Sequence, residues 1–288
     1  MKKQFIAAIV LISIITCLCN CSDSKASSYF SIQFIDVGQG DSALVECDGH
    51  CMLIDGGDTS AGGKVYSVLE NKGIRHLDIL AISHLHNDHI GGLPEALKNV
   101  TKIDLTISNA TDGNKKTFRS LDSELSGIGS GIKIPPIGEK YSLGSASVEV
   151  VDNSAIEEND SLVLLVTYGK TKYLFTGDIG LNAQRRITDK YKSEPDSLYK
   201  IDLIKMPHHG SYMDNGIKTD TLGPFMRTFM ADYAVISVGK GNPYKHPHKE
   251  VLDLLNSKTY KPKVYRTDED GDIIVESDGK KLFVETRP

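Results

Sequence analysis

An apolar run from Asp78 to Ile82 opens into His84-Leu85-His86-Asn87-Asp88-His89-Ile90-Gly91-Gly92, and no other stretch limits the fold as strongly. Three of the nine histidines and an aspartate fall between positions 84 and 89, ahead of a Gly-Gly pair. Imidazole with carboxylate suits Zn, Mn or Fe. A loop just past a strand end can turn several such side chains toward one point. The competing reading, a solvated loop that happens to be rich in His, leaves this concentration unexplained.

Two distant strands end in the same way. Lys172 to Thr176 runs into Gly177-Asp178, and Ile201 to Met206 runs into Pro207-His208-His209-Gly210-Ser211. Alone, a Gly-Asp pair is an ordinary turn and a His-His pair is more often structural than metal-binding. Beside the first loop they become partners for it.

Between these segments the pattern alternates. Strand spacing marks Ser31 to Asp36, Ser42 to Cys47, Met52 to Ile54 and Lys102 to Ile107; helical spacing marks Val65 to Asn71, stopping at Gly73, then Leu93 to Asn99 and Phe118 to Leu125. The second half repeats the mixture. It has strands at Ser147 to Val151, Ser161 to Tyr168, Tyr233 to Ser237, Lys263 to Tyr265, Ile273 to Glu276 and Lys281 to Glu285, and helices at Ala183 to Tyr191, Leu222 to Met230 and Lys249 to Leu255. The expected class is α+β: two sheets packed face to face with helices outside.

The first residues carry a different signal. Lys2 and Lys3 precede an apolar run from Phe5 to Ile15 that is short for a membrane span and reads as a signal peptide. Cys17, Cys19 and Cys21 follow, then a polar tether to Ser28; Cys21 is the choice for lipidation, with Cys17 as the alternative. The expected division is therefore 1–20 signal peptide, 21–28 flexible tether and 29–288 catalytic domain, placing the protein outside the cytoplasm as a membrane-anchored lipoprotein or, alternatively, a secreted chain. Cys47 and Cys51 flank a turn-like Asp48-Gly49-His50; export permits a disulfide there, and two free thiols are the alternative. The formal charge of −5 repels polyanions, so tight sequence-independent DNA binding is not expected. With 7% aromatic residues and no Trp, composition marks no stacking platform for single strands.

His84-x-His86-x-Asp88-His89 matches the signature of the metallo-β-lactamase superfamily. More narrowly, Phe34-Ile35-Asp36-Val37-Gly38-Gln39-Gly40-Asp41-Ser42, Asn159-Asp160-Ser161-Leu162-Val163-Leu164, Gly177-Asp178, His208-His209-Gly210-Ser211 and His246-Pro247-His248 resemble the extracellular hydrolase domain of ComEC competence proteins. The resemblance implies a four-layer αββα sandwich with two divalent ions, Zn or Mn, at one edge. By it, His84 and His86 hold one ion, Asp88 and His89 the second, and Asp178 bridges both. His209 completes the second ion, with His208 as the alternative. The superfamily's third histidine for the first ion has no counterpart, since Asn159-Asp160-Ser161 stands in its place and no histidine lies between His89 and His208.

The activity implied is hydrolysis of a phosphodiester, as a phosphodiesterase or nuclease using a hydroxide shared by the two ions. The substrate would be DNA or an envelope polymer. Asp88, Asp178, His208 and His248 are the catalytic candidates, and Lys205, Lys240 and Lys245 candidate phosphate contacts. Asp36, Asp41 and Asp55 read as supports for the loops rather than ligands. A phosphorylcholine-type esterase on the cell envelope is the runner-up, and a non-catalytic surface-binding module the reading from another class. His246 and His248 could equally be loop-shaping residues ahead of a helix.

Overall fold

Phe30, Ile32 and Phe34 of β1 (Phe30–Phe34) are buried between two sheets, packed with Tyr168, Tyr173 and Phe175 from the opposite layer. Phe34 stacks on Phe175 at 5.8 Å and Phe30 on Tyr173 at 4.9 Å. Truncating such a ring to alanine would cost about 3–5 kcal/mol. The structure is a computed structural model that describes residues 29–110, 116–155, 160–192, 200–214, 217–218, 221–258 and 260–288. The expected signal peptide and tether, with their cysteines, lie outside the described residues, as does Asn159.

The first sheet takes β2 (Ala43–Cys47), β3 (His50–Ile54), β4 (His76–Ile82), β5 (Lys102–Ser108) and β6 (Ile132–Lys133) beside β1. The second is built from β7 (Lys140–Leu143), β8 (Ala146–Asp152), β9 (Val163–Tyr168), β10 (Thr171–Phe175), β11 (Leu203–Lys205), β14 (Tyr233–Ile236) and β15 (Lys263–Arg266). Between β11 and β14 the chain makes a separate small hairpin, β12 (Met213–Asp214) with β13 (Ile217–Lys218). β16 (Asp272–Ser277) and β17 (Leu282–Arg287) return to the first sheet, where β16 pairs antiparallel with β1.

Helices cover both outer faces. On the first sheet α1 (Gly62–Asn71), α2 (Asn87–Ile90), α3 (Leu93–Ala96) and α4 (Lys116–Ile128) bury Val65, Leu69, Ile90, Leu93, Leu121 and Leu125 against Leu44, Leu53 and Leu80. On the second, α5 (Leu181–Lys192), α6 (Leu222–Phe229) and α7 (Lys249–Leu255) set Ile187, Phe225 and Val251 against Val163, Leu174 and Ile204. A further short helix, α8 (Thr267–Asp270), joins β15 to β16. This is the expected αββα sandwich. α1 ends where the sequence predicts: Gly73, at φ +68°, lets the Ile74 amide turn back to the Leu69 carbonyl.

Cys47 and Cys51 are free thiols. The register explains why: Cys47 pairs with His50 and Cys51 with Glu46, so Cys47 points into the core between the sheets and Cys51 toward the helical layer. Adjacent register positions face opposite ways, which excludes the disulfide.

The strand directions place the site. β3 and β4 are parallel, as are β10, β11 and β14, so the loops leaving β3, β4, β10, β11 and β14 gather along one edge of the two sheets.

Candidate metal centre

β4 delivers the chain to Ser83, where a buried Asp55 from the loop after β3 holds it. Asp55 accepts from the Ser83 amide (2.8 Å), the Ser83 hydroxyl (2.6 Å) and His89 Nδ1 (2.9 Å). With Nδ1 engaged, His89 presents Nε2 to Asp178 Oδ2, 3.2 Å away. The Ser83 hydrogen is spent on Asp55, so Ser83 Oγ accepts from His84 Nδ1 at 3.1 Å. His84 Nε2 is then left facing His86 Nδ1 at 2.9 Å and Asp178 Oδ2 at 4.0 Å.

Two loops clamp the α2 turn that carries Asp88 and His89. The Asp41 amide donates to the Asp88 carbonyl (3.1 Å) and the Gly56 amide to the His89 carbonyl (2.7 Å). A Cβ at Gly40 would overlap the Asp88 carbonyl oxygen, and φ there is +144°, so the approach requires glycine.

The second sheet supplies the remaining groups. Asp178 follows β10 with 2% of its surface exposed, its amide donating to Ser161 Oγ at 2.9 Å. After β11, His208 and His209 both take left-handed backbone conformations (φ +47° and +53°), strain of the kind that collects at functional sites. His209 Nδ1 donates to the Ser237 carbonyl (3.0 Å), which aims Nε2 at Asp88 Oδ2 and Asp178 Oδ2, each 3.3 Å away. His208 Nε2 lies 3.8 Å from the same Asp178 oxygen.

Donor atoms of Asp88, His89, Asp178 and His209 thus lie within 4.8 Å of one another. No hydrogen bond closes on His89 Nε2, His209 Nε2 or Asp178 Oδ1, although all are buried. Orphaned polar atoms of this kind carry a large desolvation cost unless something else satisfies them. Donors about 2.1 Å from a tetrahedral ion sit roughly 3.4 Å apart, close to the separations seen here. The residues therefore fit a divalent cation.

Electrostatics agree. Burial disfavours a charged His89, but Asp178 and Asp55 outweigh it and hold its pKa well above 6.5; Asp178 and Asp41 do the same for His209 against burial. Burial and the neighbouring His89 push His84 well below 6.5, leaving it neutral. Against burial, His209, His89 and His208 keep Asp178 far below the usual carboxylate range, and Asp88, facing His209 at 3.3 Å with His89 near by, falls against burial to about 2.

Several expectations change. Lys205 is not a phosphate contact: it is 3% exposed beneath the cluster, ion-paired with Asp41 and donating to the Gly177 carbonyl at 3.2 Å. Asp160 turns away to Arg186 (3.2 Å), so the segment in place of the third histidine contributes the Ser161 hydroxyl. His248 accepts from the Tyr212 amide at 2.9 Å as the residue preceding α7, whereas His246 lines the cleft. Asp36 bonds the Gly38 amide and lies near Lys64, the loop-fixing part expected of it. The cleft above the donors holds about 260 Å³ and is also lined by Gln39, His86, Asn87, His208 and Tyr244.

Sequence reasoning missed the Lys205–Asp41 pair; the only signal was a lysine interrupting an apolar strand run before Pro-His-His. His50 and His76, near the other end of the first sheet, pair with Asp78 (2.6 Å) and Asp104 (2.8 Å).

Residues 35–224 match the metallo-beta-lactamase superfamily. ComE operon protein 3 of Bacillus subtilis (strain 168) is 30% identical over 271 residues, covering 86% of this chain and 33% of that protein. Recombination protein 2 of Haemophilus influenzae is 31% identical over 254 residues, covering 85% and 29%. The chain spans about a third of the length of these curated relatives, which are competence proteins of the ComEC type. Among solved structures, the metallo-beta-lactamase fold protein YhfI from Bacillus subtilis superposes with a TM-score of 0.54 at 12% identity, covering 86% of this chain and all of that one. Fold, donor cluster and sequence match together make the chain a member of the metallo-beta-lactamase superfamily, with the divalent-metal site of a metal-dependent hydrolase.

Proposed function

We propose that the protein is an extracytoplasmic phosphodiesterase, acting as a nuclease, that holds two divalent ions. The observation that carries this reading is the set of buried, unpartnered donors on His209 and Asp178, which line an open, polar cleft, and on His89 beside them. His84 and His86 would hold the first ion and Asp88, His89 and His209 the second, with Asp178, which lies near both groups, available to either. When bound, such ions lower the pKa of a water and neutralise charge on a phosphoryl group. This local positive charge answers the formal −5 of the chain.

The protein's own groups do the rest. Asp55 and Ser83 fix the rings of His84 and His89, and Ser237 fixes that of His209. His208 and His246 line the cleft, where burial holds both imidazoles below 6.5, His246 at about 3, so they would meet the substrate as neutral rings. His248 packs edge-on against His246 at 4.8 Å and positions it. The names of the relatives, a ComE operon protein and a recombination protein, support DNA as substrate. A lipid anchor at Cys21, on the outer face of the cytoplasmic membrane, would place the cleft where incoming strands arrive. Among the described residues no helix is long and apolar enough to cross a membrane.

The test is elemental analysis of gently purified protein with hydrolysis of bis(p-nitrophenyl) phosphate and linear DNA. Wild type should carry divalent metal and cleave both; Asp88→Ala and Asp178→Ala should lose metal and activity together. Release of choline from its phosphodiester without DNA cleavage would move the assignment to the envelope esterase. Retained metal with no hydrolysis of any phosphodiester would leave a binding module.

A further inference from the structure

Six large apolar or aromatic side chains are exposed among the described residues, and of these Tyr244 alone lines the donor cleft. The residue is 61% exposed, and its ring stacks on His246, centroids 5.7 Å apart and planes 25° from parallel. One face is thus covered by His246 and the other is open. The loop beneath is braced: the Asn242 side chain donates to the Gly239 and His246 carbonyls (2.9 and 2.7 Å) and accepts from the His246 amide (3.0 Å). The Gly239 amide in turn donates to Gln39 Oε1 across the cleft mouth at 3.2 Å. Lys240 and Lys245, on the same loop, are both exposed.

We infer that Tyr244 is a stacking subsite for the flat base of a nucleotide whose phosphodiester lies over the donor cluster. The inference rests on the phosphodiesterase reading and narrows its substrate class to nucleic acid with unpaired bases. A ring braced from behind and open on one face suits a planar partner, since base–aromatic stacking needs a single face and tolerates any base. A quaternary ammonium such as choline is usually enclosed by several aromatic rings, and the cleft lining contains one tyrosine. The two loop lysines supply the backbone attraction that the overall charge withholds. Composition gave no hint of a platform because the feature is one ring in one place.

The experiment compares three phosphodiesters with a common leaving group: thymidine 5′-(p-nitrophenyl phosphate), methyl p-nitrophenyl phosphate and p-nitrophenyl phosphorylcholine. Each is assayed with metal-loaded wild type, Tyr244→Phe and Tyr244→Ala. Tyr244→Ala should raise KM for the thymidine ester about ten-fold more than for the methyl and choline esters, any change common to the three esters reporting on the His246 ring it backs, and Tyr244→Phe should restore the thymidine KM. An equal effect on all three esters, or none on any, overturns the subsite while leaving the phosphodiesterase reading in place. A loss confined to the choline ester overturns it in favour of a cation-binding ring. If wild type hydrolyses none, calorimetric binding of thymidine 5′-monophosphate decides: affinity above that of methyl phosphate and lost in Tyr244→Ala upholds the subsite although the hydrolase reading has failed, and equal affinity overturns it.

Discussion

His89 turns Nδ1 to Asp55 at 2.9 Å, and this single bond decides that Nε2 is the nitrogen facing Asp178. Asp55→Asn keeps the shape but offers an amide donor in place of a carboxylate oxygen, so the ring loses its fixed tautomer. Metal affinity should fall about 10- to 100-fold, measured by competition with a chromophoric chelator, while the far-ultraviolet circular dichroism stays native. Unchanged affinity would remove Asp55 from the account of the site.

Stability of the metal-free protein should depend on pH in two directions. His89 and His209 have folded pKa values raised above 6.5, so their contribution is complete below that value and is lost as pH rises through the folded pKa. Asp178 is depressed below 3.8, so its contribution is present above that value and lost as pH falls through the folded pKa. Melting temperatures in excess chelator should therefore decline on the alkaline side, whereas protein with added divalent metal, where the ion takes the place of the protons, should resist that decline. Parallel alkaline curves with and without metal would show that these imidazoles do not exchange protons for an ion.

Lys205 carries a buried charge against Asp41, with Asp178 Oδ1 3.8 Å away. Lys205→Met removes one partner and leaves the carboxylates uncompensated, at a cost of about 3–5 kcal/mol. Adding Asp41→Asn to the same chain should recover part of that loss, read by urea denaturation of metal-free protein. Strictly additive losses would mean that the two side chains are not coupled.

Both thiols should be present and slow to react. Burial drives the Cys47 thiol upward, and burial with Glu46 and Asp78 pushes Cys51 to about 11. Mass spectrometry after alkylation should find little modification of the native protein at pH 8 and two alkylated cysteines at positions 47 and 51 in denaturant without reductant. A mass two hydrogens lighter, unreactive until reduced, would contradict the register of β2 and β3.

The parts of this architecture visible in the sequence are those set by local rules. Helices α1, α4 and α5 were marked by periodicity, because each buries one face against a single layer, and strands β1 to β5 by short apolar runs, β2 to β5 burying side chains on both faces. β7 escaped notice since Lys140-Tyr141-Ser142-Leu143 is an edge strand with one buried side chain, and β6 is two residues long. At the site, His84, His86, Asp88 and His89 announced themselves by spacing, and Asp178 and His209 by their place just past apolar strands. Choosing His209 over His208 needed the backbone at 208 and 209, which decides which ring faces Asp88. Choosing His246 over His248 for the cleft needed the start of α7, which ties His248 to Tyr212. Lys205 with Asp41 was invisible because the pairing joins one sheet to a loop of the other.

That division between sheets has a consequence for the newly made chain. On the proposed assignment, the ribosome releases His84, His86, Asp88 and His89 well before Asp178, and His209 later still. An ion that arrives early meets an open half-shell with nothing to close it. The full donor set exists only once the second layer has docked on the first, so the centre is a product of long-range packing rather than of any one segment.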